Sequence, residues 1–196
     1  MSNKKQVSGD TKIPSQTLDQ INSDILNCQF CNHTPHIGQL VVGEGPANAK
    51  IAIVGEAPGK QEAQTGLPFI GRSGKLLDHL INQNLTLLRS QIFITSVVKY
   101  LPPYITPKTP DIIHGRTHLF DQLNCIQPNL IILLGTTAVR AALEINDPIT
   151  TLRGQTISHN NHNFYITLHP SAGLRSTKYL QLLQRDFESL KNISNL

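Results

Sequence analysis

The chain has 196 residues, of which 39% are hydrophobic and 15% are charged, and these proportions are typical of a globular protein rather than a disordered one. Its net charge of +4 is mildly basic, which is compatible with a polyanionic partner but does not require one. The three cysteines are too few, and odd in number, for a disulfide framework. We therefore expect a cytoplasmic protein.

The N-terminal segment shows no targeting signal. Residues 1–15 are polar and carry Lys4, Lys5 and Lys12, without the apolar stretch of a signal peptide. No apolar run approaches the roughly 18 residues of a membrane-spanning helix. We expect residues 1–15 to be a flexible tail and residues 16–196 to form one domain without membrane association.

Hydrophobic patterning predicts helices and strands that alternate along the chain. The predicted helices cover 15–27, a segment beginning near 73, 110–126, 136–144 and 178–193. The predicted strands cover 51–54, 92–98, 130–134 and 164–168, and a turn-rich loop is expected over 28–36. Connections between strands are too long for hairpins, which implies parallel pairing with right-handed crossovers. The expected fold is α/β, a three-layer α/β/α sandwich around a small four-stranded parallel sheet.

Chemically distinctive residues stand where the predicted strands end: Glu56, Ser96, Gly135 and His169. The carboxyl ends of parallel strands meet at one edge of a sheet. A lone glutamate is usually a cap or solvated, and a lone histidine is usually structural. Together they predict a functional site in which Glu56 and His169 face each other across a cleft.

The loop after the first strand is rich in glycine and proline. It reads Gly-Glu-Ala-Pro-Gly over Gly55–Gly59 and Thr-Gly-Leu-Pro-Phe-Ile-Gly over Thr65–Gly71. Glycine lets a backbone approach a ligand, and proline stiffens a loop. Phe69 in this loop is either a core residue or a stacking surface for a flat ligand.

Two further groups of residues have alternative interpretations. Cys28 and Cys31, spaced as Cys-x-x-Cys and followed by His33 and His36, are either half of a metal site or two inert thiols in a turn. Several cations near strand ends or helix starts are either solvated or arranged for a phosphate backbone. These cations are Lys75, Lys99, Arg153, Arg175 and Lys178.

Taken together, the motifs resemble the uracil-DNA glycosylase superfamily, and within it the family 4 iron–sulfur enzymes. The matching segments are Gly55–Gly59, Thr65–Gly71, Ser73–Leu77, Val97–Lys99 with Pro102-Pro103, Arg153-Gly154 and His169–Ser171. The resemblance covers nearly the whole predicted domain.

The resemblance implies an enzyme that hydrolyses the N-glycosidic bond of uracil flipped out of DNA, in base-excision repair. It implies that His169 stabilises the departing uracil anion and that Glu56 orients water or stabilises the sugar cation. Phe69 would stack on the base, and the backbone at Ala57 and Gly59 would contact its polar edge. The expected partner is uracil-containing DNA, bound by a monomer.

The resemblance also implies a DNA-contacting surface. Leu174 and Arg175 stand where the family presses a loop into the duplex, as a wedge and a phosphate clamp. The residues expected to contact DNA are Lys75, Lys99, Arg153, Ser171, Leu174 and Arg175.

One departure from the family affects the base site. Ser96 occupies the position of the family's second-strand asparagine. The resemblance therefore implies that Ser96 is one of the base-binding residues. A hydroxyl is shorter than an amide and cannot make the same paired contact with a uracil edge. This change puts the selectivity for uracil in question.

A second departure affects the iron–sulfur cluster. The family's four cysteines fall here at Cys28, Cys31, Tyr100 and either Gly115 or its neighbour His114. Because two of the four ligands are missing, we expect no normal 4Fe–4S cluster. The alternatives are a loop held by packing alone and a zinc ion, the latter bound by Cys28, Cys31, His114 and one of His33 or His36.

Uracil excision therefore has rival interpretations. Loss of the asparagine and of the cluster ligands is compatible with a non-catalytic or slow DNA-binding relative. A glycosylase with shifted specificity, for hypoxanthine, xanthine or a pyrimidine lesion, is intermediate between a uracil-excising enzyme and a non-catalytic relative. A small-molecule binding protein that uses the same cleft would show no salt-dependent affinity for DNA.

Overall fold

The computed structural model describes residues 16–85 and 87–193, so the predicted tail over residues 1–15 lies outside the described residues. The strands are β1 Ile51–Gly55, β2 Phe93–Ser96, β3 Leu130–Leu134, β4 Thr156–His159 and β5 His162–Thr167. The helices are α1 Leu18–Leu26, α2 Gln29–His33, α3 Lys60–Thr65, α4 Arg72–Asn84, α5 Thr109–Ile126, α6 Thr136–Leu143, α7 Ile149–Leu152, α8 Pro170–Gly173 and α9 Thr177–Ile193. A 3-10 turn covers Arg89–Gln91.

The described strands form one sheet in the order β2-β1-β3-β5-β4. Strands β2, β1, β3 and β5 are parallel, and these are the four strands that the sequence predicts. The prediction of four strands omits β4, which pairs antiparallel with β5 at the edge. Asn160 and Asn161 join the two strands, and both have positive φ, of 47° and 62°. Asparagine tolerates this conformation, so a two-residue hairpin turn fits here.

Helices cover both faces of the sheet, which confirms the predicted three-layer α/β/α class. Side chains alternate along each strand, so Ala52 and Val54 face one layer while Ile51 and Ile53 face the other. The first layer packs Leu119 and Leu123 of α5 against the sheet, together with residues of α1 and α6. The second layer is formed by α4 and α9, which bury Leu77, Leu80, Leu183, Phe187 and Leu190.

The chain also forms short helices that the sequence pattern did not predict. The segment 28–36, expected as a loop, contains α2, and α3 and α7 lie in connections between predicted elements. These helices have four to six residues, too few for a periodic apolar pattern. No helix in the described ranges combines the length and apolarity needed to cross a membrane.

Candidate active site

A cleft of about 780 Å³ opens at the carboxyl edge of the parallel strands. Glu56 follows β1, Ser96 ends β2, Gly135 follows β3 and His169 lies just beyond β5, and all four line this cleft. The pairing register places Gly55 beside Ser96 in the sheet. The structure thus brings together the residues that the sequence places at the strand ends.

Glu56 is held by a partner from the helix that follows the neighbouring strand β3. The hydroxyl of Thr137, in the first turn of α6, donates a short hydrogen bond to Oε2 of Glu56. None of the described residues forms a hydrogen bond with the other carboxylate oxygen, Oε1. Thr137 was not among the predicted site residues, although its position after β3 placed it at the same edge.

His169 is fixed in orientation by Ser171. The backbone N–H of Ser171 donates to Nδ1 of His169 over 3.1 Å, and the Ser171 hydroxyl lies 2.9 Å from the same nitrogen. Because Nδ1 accepts a hydrogen bond, the proton of the neutral ring belongs on Nε2. Burial lowers the pKa of His169 to about 4, helped by the charge of Arg175 and opposed by Glu62. His169 is therefore a neutral imidazole that donates from Nε2 at pH 7.

Phe69 lies beside His169, with 5.7 Å between the ring centroids. It lines the cleft and is 8% exposed. Its ring approaches the end of β1 so closely that a Cβ added at Gly55 would come within 2.5 Å of it. Phe69 also has a φ of 50°, a conformation that is strained for an aromatic residue. The surrounding structure must therefore hold this backbone in place.

Glu62 and Arg89 supply that support, and sequence reasoning assigned no role to either. The Glu62 carboxylate accepts from the backbone N–H groups of Ile70 and Gly71, over 3.0 and 2.9 Å. The Arg89 guanidinium donates to the carbonyls of Pro68 and Phe69, over 2.5 and 3.4 Å. It also pairs with Asp78 and Glu44. Both charged groups fix the backbone on either side of Phe69.

The remaining residues expected to contact a base also line the cleft. Ala57 and Gly59 bring backbone to its surface, and Ser96 is 4% exposed at the end of β2. Val41, Leu101 and Pro68 add apolar surface nearby. The cleft thus combines an aromatic ring, exposed backbone and a hydroxyl, a combination suited to a flat polar ring.

Two of the cations expected to contact phosphate do not fit that role. Lys99 is 1% exposed, and its ammonium donates to Thr95, Ser96 and Gln122 over 2.8 Å each. Burial lowers the pKa of Lys99 to about 7. Arg153 forms an ion pair with the buried Asp186 of α9 and donates to the carbonyl of Leu182. Both groups stabilise the interior, which argues against a phosphate contact from either of them.

The other expected DNA contacts lie at or near the cleft. Arg175 lines it, 3.5 Å from the Ser171 hydroxyl, and Ser171 itself lines the cleft while holding His169. Leu174 is 41% exposed at the end of α8. Lys75 is exposed on α4 but does not line the cleft. The structure adds two exposed cations to the lining, Lys60 and Arg72.

A second cluster of reactive side chains lies between α2 and α5. The cysteine sulfurs of Cys28 and Cys31 and one ring nitrogen each of His114 and His118 lie within 4.8 Å of one another. Cys28 Sγ is 3.2 Å from His114 Nε2, which is 3.1 Å from His118 Nε2. This cysteine–histidine group could hold a metal ion.

The structure changes the candidate ligands of the zinc alternative. His33 and His36 do not lie within the cysteine–histidine group. Their Nδ1 atoms contact the carbonyls of Gln29 and Thr34 over 2.8 Å each. His118 takes their place. Its spacing of four residues from His114 puts both rings on one face of α5, a signal already present in the sequence.

Comparisons with known proteins agree with this architecture. The family model described as the uracil DNA glycosylase superfamily matches residues 42–191. The chain is 35% identical over 183 residues to a type-4 uracil-DNA glycosylase of Saccharolobus solfataricus, covering 89% of this chain and 85% of that protein. Type-4 enzymes of Sulfurisphaera tokodaii and Thermotoga maritima are each 32% identical, covering 91% and 90% of this chain and 85% and 94% of those proteins. On this evidence the chain belongs to the uracil-DNA glycosylase superfamily, among its type-4 members.

Proposed function

We propose that this chain is a DNA glycosylase that removes uracil from DNA in base-excision repair. The observation that carries the proposal is the placement of Glu56 and His169 on one cleft, beside the ring of Phe69. The similar type-4 uracil-DNA glycosylases support the same activity.

The cleft accounts for binding of a single extruded base. Moving a nucleotide out of the base stack costs a few kcal/mol, and contacts in the pocket must offset this cost. Phe69 would stack on one face of uracil, since aromatic side chains stack on bases irrespective of sequence. Backbone at Ala57 and Gly59, together with the Ser96 hydroxyl, would contact the polar edge.

The reaction breaks the bond between N1 of uracil and C1′ of the sugar. The bonding electron pair leaves with uracil, so negative charge develops on O2 and positive charge on the sugar. The neutral His169 would donate from Nε2 to O2, which stabilises the anion without prior protonation of the base. Water then adds to C1′ and releases a proton, and the uracil anion takes up one proton to leave as free uracil.

Glu56 would act on the sugar side of this reaction. Its carboxylate stabilises the developing cation and accepts a hydrogen bond from the attacking water. Thr137 holds one oxygen and so sets the direction of the other. We assign Thr137 as a positioning residue, since it acts through Glu56.

The cations at the cleft mouth would bind the phosphates that flank the flipped nucleotide. Lys60, Arg72 and Arg175 line the cleft, and Leu174 is exposed next to Arg175. A leucine at this point would fill the space that the base leaves in the duplex. Uracil-containing DNA is accordingly the proposed partner.

Release of uracil from a labelled oligonucleotide tests the proposal, with alkaline cleavage reporting each abasic site. The wild-type chain should excise uracil, and His169→Ala or Glu56→Gln should each slow single-turnover excision on the order of 10²–10³-fold. Thr137→Val should slow excision less than the two catalytic variants do. Thr137→Ser should keep a rate close to that of the wild type, because serine retains the hydroxyl. Undiminished excision by both catalytic variants would contradict the assigned roles.

A shifted base specificity is the second candidate, and Ser96 is the observation that favours it. Its short hydroxyl lines the cleft where the family carries an amide. A panel of oligonucleotides with uracil, hypoxanthine, xanthine and oxidised pyrimidines separates the two functions. Preferential release of a base other than uracil would establish the second one.

We further propose that residues 16–196 act as a single catalytic domain, monomeric and cytoplasmic. Both catalytic residues come from one chain, and all three cysteines are unpaired. The cysteine–histidine group takes no part in the proposed steps, because none of its four residues lines the cleft.

A further inference from the structure

The cysteine–histidine group has the dimensions of a site for one metal ion. Around one tetrahedral zinc, with Zn–S near 2.3 Å and Zn–N near 2.0 Å, neighbouring ligand atoms lie roughly 3.3–3.8 Å apart. In the structure, the Cys28–His114 and His114–His118 contacts are 3.2 and 3.1 Å. All four ligand atoms lie within 4.8 Å of one another. One ion, rather than several, fits among them.

The family's 4Fe–4S cluster does not fit these residues. Such a cluster is held by four thiolates, one on each iron, and only Cys28 and Cys31 are present. The third position is Tyr100, whose hydroxyl already donates to Asp111 over 2.7 Å. The fourth position is either His114 or Gly115, and a Cβ on Gly115 would lie 2.4 Å from the carbonyl oxygen of Val97. A cysteine side chain at 115 is therefore excluded by the packing of α5.

We propose that Cys28, Cys31, His114 and His118 form a mononuclear tetrahedral zinc site in place of that cluster. This inference goes beyond the proposed function and does not depend on it. Two thiolates and two imidazoles match the preference of Zn²⁺ and leave the site electrically neutral. Hard cations such as Mg²⁺ and Ca²⁺ prefer oxygen ligands, which this group lacks.

The local structure orients the four ligands. Cys28 caps α2 and Cys31 lies within it, so the Cys-x-x-Cys segment presents both sulfurs from one turn. His114 and His118 lie four residues apart on α5. The ring of Phe30 stacks on His114 at 4.1 Å, which fixes the imidazole plane. Because all four positions are protein ligands, the site is of the closed, structural kind.

The zinc site would stabilise one wall of the cleft. The chain runs from α2 into a segment that pairs with residues 99–101 through backbone hydrogen bonds. The N–H of Ile37 donates to the carbonyl of Leu101 over 3.0 Å, and the N–H of Val41 donates to the carbonyl of Lys99 over 2.7 Å. Leu101 lines the cleft, and the chain then enters α5. Ligands on α2 and α5 thus bracket this wall at both ends.

Metal analysis of the purified full-length chain tests the proposal. We expect about one zinc per chain, with neither iron nor acid-labile sulfide. Cys31→Ser and His118→Ala should lower the zinc content roughly tenfold or more, while Cys125→Ser and His36→Ala should retain it. His118→Cys should also retain zinc, since it replaces one ligand with another. Replacement by Co²⁺ should give the intense visible absorption of a tetrahedral thiolate complex.

The alternative outcomes overturn the inference. Iron with sulfide in the wild-type protein would establish a cluster despite the missing cysteines. A wild-type chain that binds neither zinc nor cobalt would exclude the site. Loss of zinc in His36→Ala but not in His118→Ala would reject this ligand set. Circular dichroism of each variant separates loss of the metal from loss of the fold.

Discussion

At the scale of single residues, burial determines how His169 responds to acid. The unfolded chain has a histidine of ordinary pKa, near 6.5, whereas burial and Arg175 lower the pKa of folded His169 to about 4. Between these two pH values the unfolded chain binds more protons than the folded protein. Stability supplied by neutral His169 is therefore complete above pH 6.5 and is lost as the pH falls towards 4.

We predict that acidification from pH 7 to 4.5 destabilises the wild-type protein more than His169→Gln, by about 2 kcal/mol. The glutamine cannot be protonated in this range, so it removes the proton uptake linked to unfolding. Urea unfolding at both pH values measures the difference. Glu62 and Arg175 are the charged groups that face the ring and are unchanged in both proteins. Equal losses would mean that His169 titrates normally in the folded state.

Ser96 gives a second prediction at this scale. Asparagine there would add a donor and an acceptor at the base edge, where the serine hydroxyl is too short to make both contacts. We expect Ser96→Asn to raise the rate of uracil excision by roughly tenfold, the equivalent of one neutral hydrogen bond. Single-turnover rates on uracil and on a mismatched cytosine measure rate and selectivity together. A slower variant would indicate that the cleft has adapted to serine.

Residue types at strand ends were informative from sequence because topology alone brings them together. Glu56, Ser96 and His169 needed only the order of strands to be placed at one edge. The burial of Lys99 could not be predicted in this way, because it depends on Gln122 of α5, a helix distant in sequence. Thr137 was missed for a related reason: its role depends on an orientation that no spacing predicts.

At the scale of elements, the loop around Phe69 depends on one guanidinium. Arg89 reaches from the 3-10 turn to the Pro68 and Phe69 carbonyls and pairs with two carboxylates. Its side chain is 24% exposed, so these bonds are partly shielded from water. Hydrogen bonds to charged groups contribute about 1.5–3 kcal/mol when shielded.

We predict that Arg89→Met lowers the free energy of unfolding by about 2 kcal/mol and slows excision roughly tenfold. Arg116→Met is the matched control, since Arg116 forms an exposed pair with Glu144 and should cost under about 1 kcal/mol. Urea unfolding and single-turnover kinetics measure the two effects. In a Phe69→Ala background, Arg89→Met should add little further loss of rate if Arg89 acts through Phe69. Additive losses would assign Arg89 a purely structural role.

Elements with a strong period were predicted from sequence, and short or irregular ones were not. The run Leu130–Leu134 matches β3, and proline near the start of α5 matches its beginning at Thr109. Strand β4 has half-exposed side chains and no continuous apolar run. The sequence feature that could have predicted it is the Asn160-Asn161 turn that follows it. Recognition of that dipeptide as a hairpin turn would have added the fifth strand.

At the scale of the whole molecule, the order of strands explains where the cleft forms. The chain leaves β1 towards β2 on one side of the sheet, and it leaves the adjacent strand β3 towards β5 on the other side. The connections after β1 and β3 therefore run in opposite directions. Loops that diverge leave a crevice at the carboxyl ends of the strands. The hydrogen bond between Thr137 and Glu56 spans this crevice, from the first turn of α6 after β3 to the loop after β1.

The charge around that crevice should determine how DNA binding responds to salt. Each phosphate neutralised by a cation contributes about 0.9 to the slope of log affinity against log salt concentration. Arg175 lines the cleft, whereas Arg116 lies beside Asn160 and Asn161, which precede β5 at the opposite edge of the sheet. Replacing either arginine with glutamine removes the same net charge, so the pair separates a local contact from an overall effect.

We predict that Arg175→Gln reduces the magnitude of the salt slope by about 1, while Arg116→Gln leaves it unchanged. Fluorescence anisotropy with a uracil-containing duplex over a series of salt concentrations measures both. Because Lys99 is buried and Arg153 is paired, neither should contribute to the slope, despite their positions in the family motifs. Equal changes in the two glutamine variants would show that the protein's overall charge, rather than the cleft, attracts DNA. That result would remove the phosphate contact from Arg175 and leave only its effect in lowering the pKa of His169.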